Sequence, residues 1–517
     1  MNYFTMLKAA LSHIENNLRE PISADTVARQ VHFSPSHFHA VFRTAIGLPP
    51  AAYIRARRLL HTARELACGS ERVVDIALHY GFDSHETFTR AFQRQFGCTP
   101  TAFRASHSTF DVPLVVPGIH GPLYIGKEDS IMSSSQKTGM ERLSRGLVLH
   151  GVPKVSYFGN PPELTPYPAC VTNALKYAGV DIPYCHYHCM GGTAFRLMWN
   201  TTYWDGGNVD VLAMAEDTVE PLRRAAAAGA RGIELILKES VPAMKSFAGH
   251  LHTGADVRTG SREDMLALIR SSLEQGIPAI GFGIIGPPEA CLITGYDEDG
   301  DVLMGWNFFQ DMPELAGPVE RTDEGYYLRR GWFEHNDTLG VLALSPKAWD
   351  CTADDQRSAV AGALRRAAAI LRPRRVWARA GGLDAFDAWA ADLGKASEFP
   401  ADAPLPMLFE RLMCQSDAHT MVAEGRSYAE GWLKYMAGQY PQAAEPMLKA
   451  SRMFEQSHRV VWEMWDLLGG LQMGEEQARR LGQAPIRAQL IERIAVLKGC
   501  DERAIPLLEA AAELLQV

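Results

Sequence analysis

At 517 residues, with 47% hydrophobic and 21% charged residues, the chain is too long for one ordinary core and has the composition of about three packed domains. A single small module and wholesale disorder are excluded. With no apolar segment at its start and no run near eighteen apolar residues, the chain reads as cytoplasmic, without a membrane span. The net charge of −9 is unevenly divided: residues 1–107 hold 12 Lys+Arg against 8 Asp+Glu, which leaves −13 for the rest. The basic residues of that first part are nearly all Arg, the side chain suited to phosphates and guanine edges. The nine cysteines are scattered singly, which argues for reduced thiols over a disulfide framework.

The first part contains an internal repeat. Residues 28–33 laid on 77–82 match Ala28 with Ala77 and Phe33 with Phe82. One turn residue later Ser34/Ser84, Phe38/Phe88, Phe42/Phe92, Gly47/Gly97 and Pro50/Pro100 coincide. In each copy a short apolar-periodic helix meets a tight turn, a capping Ser and a second helix that a Gly stops. This is helix-turn-helix, twice, with residues 51–67 as the connecting helix. These segments resemble the DNA-binding domain of the AraC/XylS family of transcription regulators. The resemblance implies that the second helix of each copy enters one of two successive major grooves of double-stranded DNA. The exposed positions are then Ser36, His39, Ala40 and Arg43 in the first copy and His85, Glu86, Thr89 and Arg90 in the second.

Residues 108–140 are rich in Pro, Gly and Ser and read as a linker after a DNA-binding domain at 1–107. Residues 141–345 have an α+β pattern. Pro166 and Pro168 precede Cys170, and Val171, Ala174, Leu175 and Ala178 then share a helical face, so Cys170 is expected at a helix start, where the dipole favours a thiolate. PAIGFGII reads as a buried strand, and the next segment as a hairpin turning at Asp299-Gly300, with Glu289 at its entry and Asn307 at its exit. A helix-capped Cys followed by such a hairpin resembles the papain-like superfamily, in particular leader-peptidase-like and butirosin-biosynthesis-type domains. Cys170 and Asn307 match that pattern, whereas Glu289 stands at the position of the catalytic His. An anionic carboxylate raises a neighbouring thiol's pKa, so acyl transfer is disfavoured unless His250 or His252 supplies the base.

A site that has lost its base can still bind. Glu289 together with Trp199, Trp204, Trp306, Tyr326 and Trp332 has the composition of a cation site; the plainer alternative has those rings in the core and Glu289 paired with an Arg such as Arg196. The run Cys185-His186-Tyr187-His188-Cys189 offers soft ligands without a completing set, so no metal and no cofactor are expected. Residues 346–517 read as helices, including AVAGALRRAAAIL, GLDAFDAWAADL, SYAEGWLKYMAGQYPQAAEPMLKASRMFEQ, AQLIERIAVLKG and ERAIPLLEAAAELL, that close one wall of the site or form a homodimer surface. The reading is a multidomain chain: an all-α double helix-turn-helix domain, an α+β papain-like sensor of a small cationic effector, and an α-helical region. The alternative is a DNA-tethered cysteine amidase, peptidase or acyltransferase using Cys170.

Overall fold

The computed structural model describes residues 10, 13–14, 17–31, 38, 50–68, 71–82, 84–96, 98–106 and 138–516, the last range without 158–162, 205–216, 239–255, 312–316, 336, 347–348 and 471–472. The chain forms two compact units, one from residues before 136 and one from 138–157 with 163–516.

In the first unit, α1 (Ala24–Gln30) is opened by a capping box in which Ser23 and Thr26 bond each other's backbone amides. The connecting helix α2 (Pro50–Cys68) starts on Pro50, whose fixed φ suits a first helical residue. Then follow α3 (Val73–His79), α4 (His85–Phe96) and α5 (Pro100–Ser106). The turn between α3 and α4 passes through Gly81 at φ +70, the left-handed region that a side chain would oppose. Val27, Ala28, Phe38, Ile54, Ile76, Ala77, Phe88, Phe92 and Phe103 are buried in one core. Within the described residues the second helix-turn-helix is thus present as expected, and the positions after Val31 in the first copy, Phe38 apart, lie outside them up to Pro50.

The second unit is α+β. It runs through β1 (Gly139–Arg142), β2 (Leu147–His150), α6 (Pro166–Tyr177), α7 (Tyr184–Met190), β3 (Met198–Asn200), α8 (Glu220–Ala228), β4 (Ile233–Lys238), β5 (Val257–Gly260), α9 (Arg262–Glu274) and β6 (Ala279–Phe282). It continues with β7 (Ala290–Asp297), β8 (Val302–Trp306), β9 (Glu320–Arg321), β10 (Tyr327–Arg330) and β11 (Gly340–Leu344). Ten strands form one sheet in the order β5-β4-β11-β6-β7-β8-β10-β9, with β2 joined to β7 and β1 to β2. Among the described residues only β4 and β5 pair in parallel. The expected hairpin is β7–β8, registered from Leu292↔Trp306 to Asp297↔Val302, and Asp299 (φ 58) and Gly300 (φ 102) make its turn.

After β11 come α10 (Ala353–Leu371), β12 (Arg374–Val376), β13 (Arg379–Gly381), α11 (Leu383–Gly394), α12 (Leu405–Gln439), α13 (Ala444–Leu468), α14 (Glu475–Leu481) and α15 (Ala484–Leu514). The segment that periodicity reads as one helix from Ser427 is broken at Tyr440, because Pro441 follows. The two periodic stretches beyond residue 487 join into the single helix α15, with Pro506 inside it. Strand β13 pairs with β12 on one side and β3 on the other in a second sheet, and Leu197 and Trp199 share a core with Phe386, Trp389, Leu412 and Met464. The division expected at 345 therefore marks a change of secondary structure, while the helices beyond it pack into the same unit. Among the described residues no helix is long and apolar enough to cross a membrane.

Candidate functional site

The outward face of the first unit is built on α4. Ser84 caps it, its Oγ accepting from the Thr87 amide at 3.2 Å. Phe88 and Phe92 anchor its inner face, edge-on to Phe82 and Phe103 at ring separations of 5.1 and 5.3 Å. With that face fixed, the helical period turns Glu86, Arg90 and Gln93 outward as one stripe. Glu86 and Arg90 are 84% and 75% exposed and lie 3.5 Å apart. His85 is exposed on the first turn, at the flank of the stripe.

Thr89 departs from expectation: it is half-buried, and its hydroxyl oxygen is covered and without a hydrogen-bond partner. It lies toward the Phe92 side of the helix. Gln93 was missed by sequence reasoning, although its spacing of seven from Glu86 and three from Arg90 is the signal for it. Ser36, His39, Ala40 and Arg43 lie outside the described residues. Not every Arg of this unit is free for phosphate. Arg58 donates to the carbonyls of Leu18 and Glu20 at 2.9 and 2.6 Å, and Arg104 to those of Leu66 and Glu71 at 3.3 and 2.5 Å.

In the second unit Cys170 is the fifth residue of α6, not its first. Pro166 and Pro168, expected ahead of the helix, occupy its first turn, where a missing N–H costs nothing. The thiol therefore gains little from the dipole. It is fully buried and pushed well above the usual thiol range, first by burial and then by Cys291, Glu163 and Glu289.

Glu289, at the mouth of β7, accepts a hydrogen bond from the Tyr157 hydroxyl. Tyr157 is raised well above the ordinary phenol by burial, by Glu289, and by the further charges of Glu424 and Asp417. Asn307 is buried at the exit of β8; its amide donates to the Ile285 carbonyl at 3.1 Å and its Oδ1 accepts from Phe309 at 2.7 Å. The Cys291 thiol, on β7, lies 3.8 Å from the Tyr327 hydroxyl. The Cys170 thiol thus feels Cys291 and Glu289, while Glu289 itself is bonded to Tyr157 and Asn307 to the Ile285 carbonyl.

The aromatic residues proposed to surround Glu289 are bonded elsewhere. Trp199 and Trp204 belong to the helical core, where their indoles donate to Asp392 at 2.7 Å and Glu398 at 2.9 Å. Trp306 donates to the Val152 carbonyl, Tyr326 to that of Leu149 and Trp332 to that of Gly300, at 2.8, 3.0 and 2.9 Å. A buried indole or phenol must find an acceptor, and these found backbone. The rings near Glu289 are instead Tyr157, Phe308 and Phe309, with Tyr157 4.7 and 5.5 Å from the other two.

A second carboxylate group was not anticipated. Glu424, buried on α12, accepts from the Thr165 amide and hydroxyl at 3.2 and 2.8 Å and from the Tyr184 hydroxyl at 2.7 Å. Burial raises the Glu424 carboxyl above the usual carboxylate range, opposed by these bonds and by the charge of Arg196, which donates to the Thr193 carbonyl at 2.9 Å. Half-buried Glu163 is pushed up to about 8 by burial and by Glu424. Its charge is also felt at Cys170, Cys185 and Tyr428, which ties the two groups of carboxylates together. The signal for Glu424 was a Glu at core spacing between Met421 and Tyr428.

The Cys185 to Cys189 run lies within helix α7, and His188 is fully buried, with Nδ1 2.7 Å from the Thr193 hydroxyl. Among the described residues no three His, Cys, Asp or Glu side chains converge as a metal set. His250 and His252 lie outside the described residues.

Residues 27–106 match the family model described as a helix-turn-helix domain. The chain is 37% identical over 110 residues to the uncharacterized HTH-type transcriptional regulator YbfP of Bacillus subtilis, covering 21% of this chain and 37% of that protein. It is 39% identical over 129 residues to the Right origin-binding protein of Escherichia coli, covering 25% and 42%. It is 34% identical over 116 residues to the HTH-type transcriptional activator AarP of Providencia stuartii, covering 22% of this chain and 86% of AarP. The chain spans about two fifths of the length of the first two relatives.

Proposed function

Since the chain belongs, through its first hundred residues, to the AraC-type helix-turn-helix family of DNA-binding transcription regulators, we propose that the whole protein is a transcription regulator whose second unit senses a small organic cation. The observation that carries the DNA-reading half is the outward stripe of Glu86, Arg90 and Gln93, held by the buried Phe88 and Phe92. A helix fixed in this way presents base-reading side chains without reordering on contact.

The sensor half rests on charge. Glu289, Glu424 and Asp417 all raise Tyr157, Glu163 and Glu289 both raise Cys170, and the aromatic faces beside Glu289 are Tyr157, Phe308 and Phe309. A cation with apolar bulk matches that composition. The order of Cys170, Glu289 and Asn307 about a helix and a hairpin supports a papain-like scaffold put to binding. The raised thiol gives acyl transfer no support. Titration of the protein with size-matched cationic, neutral and anionic compounds tests the sensor. Cations should be preferred, and Glu289→Gln should weaken them by about 1.5 to 3 kcal/mol, the worth of a charge-assisted bond, while neutral compounds are unaffected. A preference for anions would overturn it.

A further inference from the structure

A carboxylate on the outward stripe of a helix that enters DNA needs an explanation. Glu86 is 84% exposed, on the first turn of α4, and points the same way as Arg90 one turn on. Phosphates line the groove, so a carboxylate there is repelled unless a base donates to it. In the major groove only the cytosine N4 and adenine N6 amino groups donate. Adenine places its N7 acceptor beside that amino group, which turns away a side chain that can only accept. Cytosine has no such neighbour. Arg90, in turn, can only donate, and the guanine O6/N7 edge is its match.

We propose that Glu86 reads a cytosine, in the base pair next to a guanine held by Arg90, and that the Glu86–Arg90 contact aligns the two side chains for this step. The inference rests on the DNA-reading role of α4 and adds the base identity that the stripe selects. At 3.5 Å the pair is close enough to orient the guanidinium, yet both side chains stay exposed enough to exchange each other for base edges. Gln93, next on the stripe, accepts and donates and so tolerates several bases. Thr89, its hydroxyl covered, takes no part.

Selection of bound duplexes from a random library by the full chain, sequenced for wild type, Glu86→Gln, Glu86→Ala and Arg90→Ala, tests this. Wild type should enrich a motif with a cytosine column next to the guanine column that Arg90→Ala erases. Glu86→Ala should flatten the cytosine column, a loss of roughly 5- to 100-fold in preference, and should bind random DNA more tightly because a repelling charge is gone. Glu86→Gln should move the column toward adenine, since an amide both donates and accepts. A Glu86 that serves only the helix dipole would lower the melting temperature of both variants and leave every column unchanged, which overturns the proposal. If wild type enriches no motif, the DNA-reading role itself fails. If it enriches one in which no column responds to Glu86, only the base assignment fails.

Discussion

Glu163 holds its proton to about pH 8 because its surroundings offer little water and the Glu424 charge stands nearby. Its folded pKa lies above the unfolded value of 4.5, so the stability it contributes is complete below pH 4.5 and is lost as pH rises through about 8. His186 and His419 run the other way: burial lowers them to about 4 and about 3, so their contribution is present above 6.5 and lost as pH falls through those values. Melting temperature followed from pH 3 to 9 should therefore rise, pass a maximum and fall, and Glu163→Gln should flatten the alkaline limb alone. The same proton links to binding. A cation that lowers the Glu163 pKa must release the proton, and calorimetry of the preferred cation in two buffers of different ionisation enthalpy should detect it near pH 7. Cys170, raised rather than lowered, should alkylate no faster than an ordinary exposed thiol; a rate profile with an apparent pKa near 6 would contradict the burial argument.

Helix α12 carries much of the second unit's order. Gly425 lies so close to α7's following turn that an added Cβ would stand 2.2 Å from the Ala194 carbonyl oxygen, a backbone atom that cannot step aside. Gly425→Ala should therefore cost about 1 to 3 kcal/mol of stability despite alanine's better helix propensity, as read by denaturant unfolding. These close approaches were not legible in the sequence. Periodicity located α2, α4, α6 and the β7–β8 hairpin, because each has an apolar face or a turn signal of its own. It did not place Tyr157 beside Glu289, nor Glu424 beside Thr165, because those contacts join segments whose local patterns say nothing of each other. The aromatic residues misled for the same reason. Composition counts rings, whereas the hydrogen-bond needs of buried indoles decide where Trp199, Trp204 and Trp332 go. Thr89 and Gln93 show the finer limit: a residue's side of a helix is readable, but the covering of one hydroxyl depends on neighbours from other helices.

Across the whole molecule, the second unit is held by contacts that bridge distant parts of the chain. Strand β13 pairs with β3, and fully buried Arg426 on α12 bonds Asp501 on α15 at 3.1 and 2.6 Å. Truncation after residue 345 would expose the β3 edge, remove Glu424 from the Thr165 amide and open the core around Trp199. Such a chain should lose the slow-exchanging amides of residues 138–345 in hydrogen exchange, while those of α3 and α4 keep their protection; retention of both sets would show that the helices are dispensable. The Glu424 bond to Thr165 also has a meaning in time. The residues of the helix-turn-helix unit are all made by about position 106, and Glu424 follows about 320 residues later, which at 5–20 residues per second is roughly 15 to 60 s of synthesis. For that interval each new chain carries a DNA-reading unit while the cluster proposed to sense the cation still lacks one of its carboxylates, so a nascent copy can engage its site before it can answer to a signal.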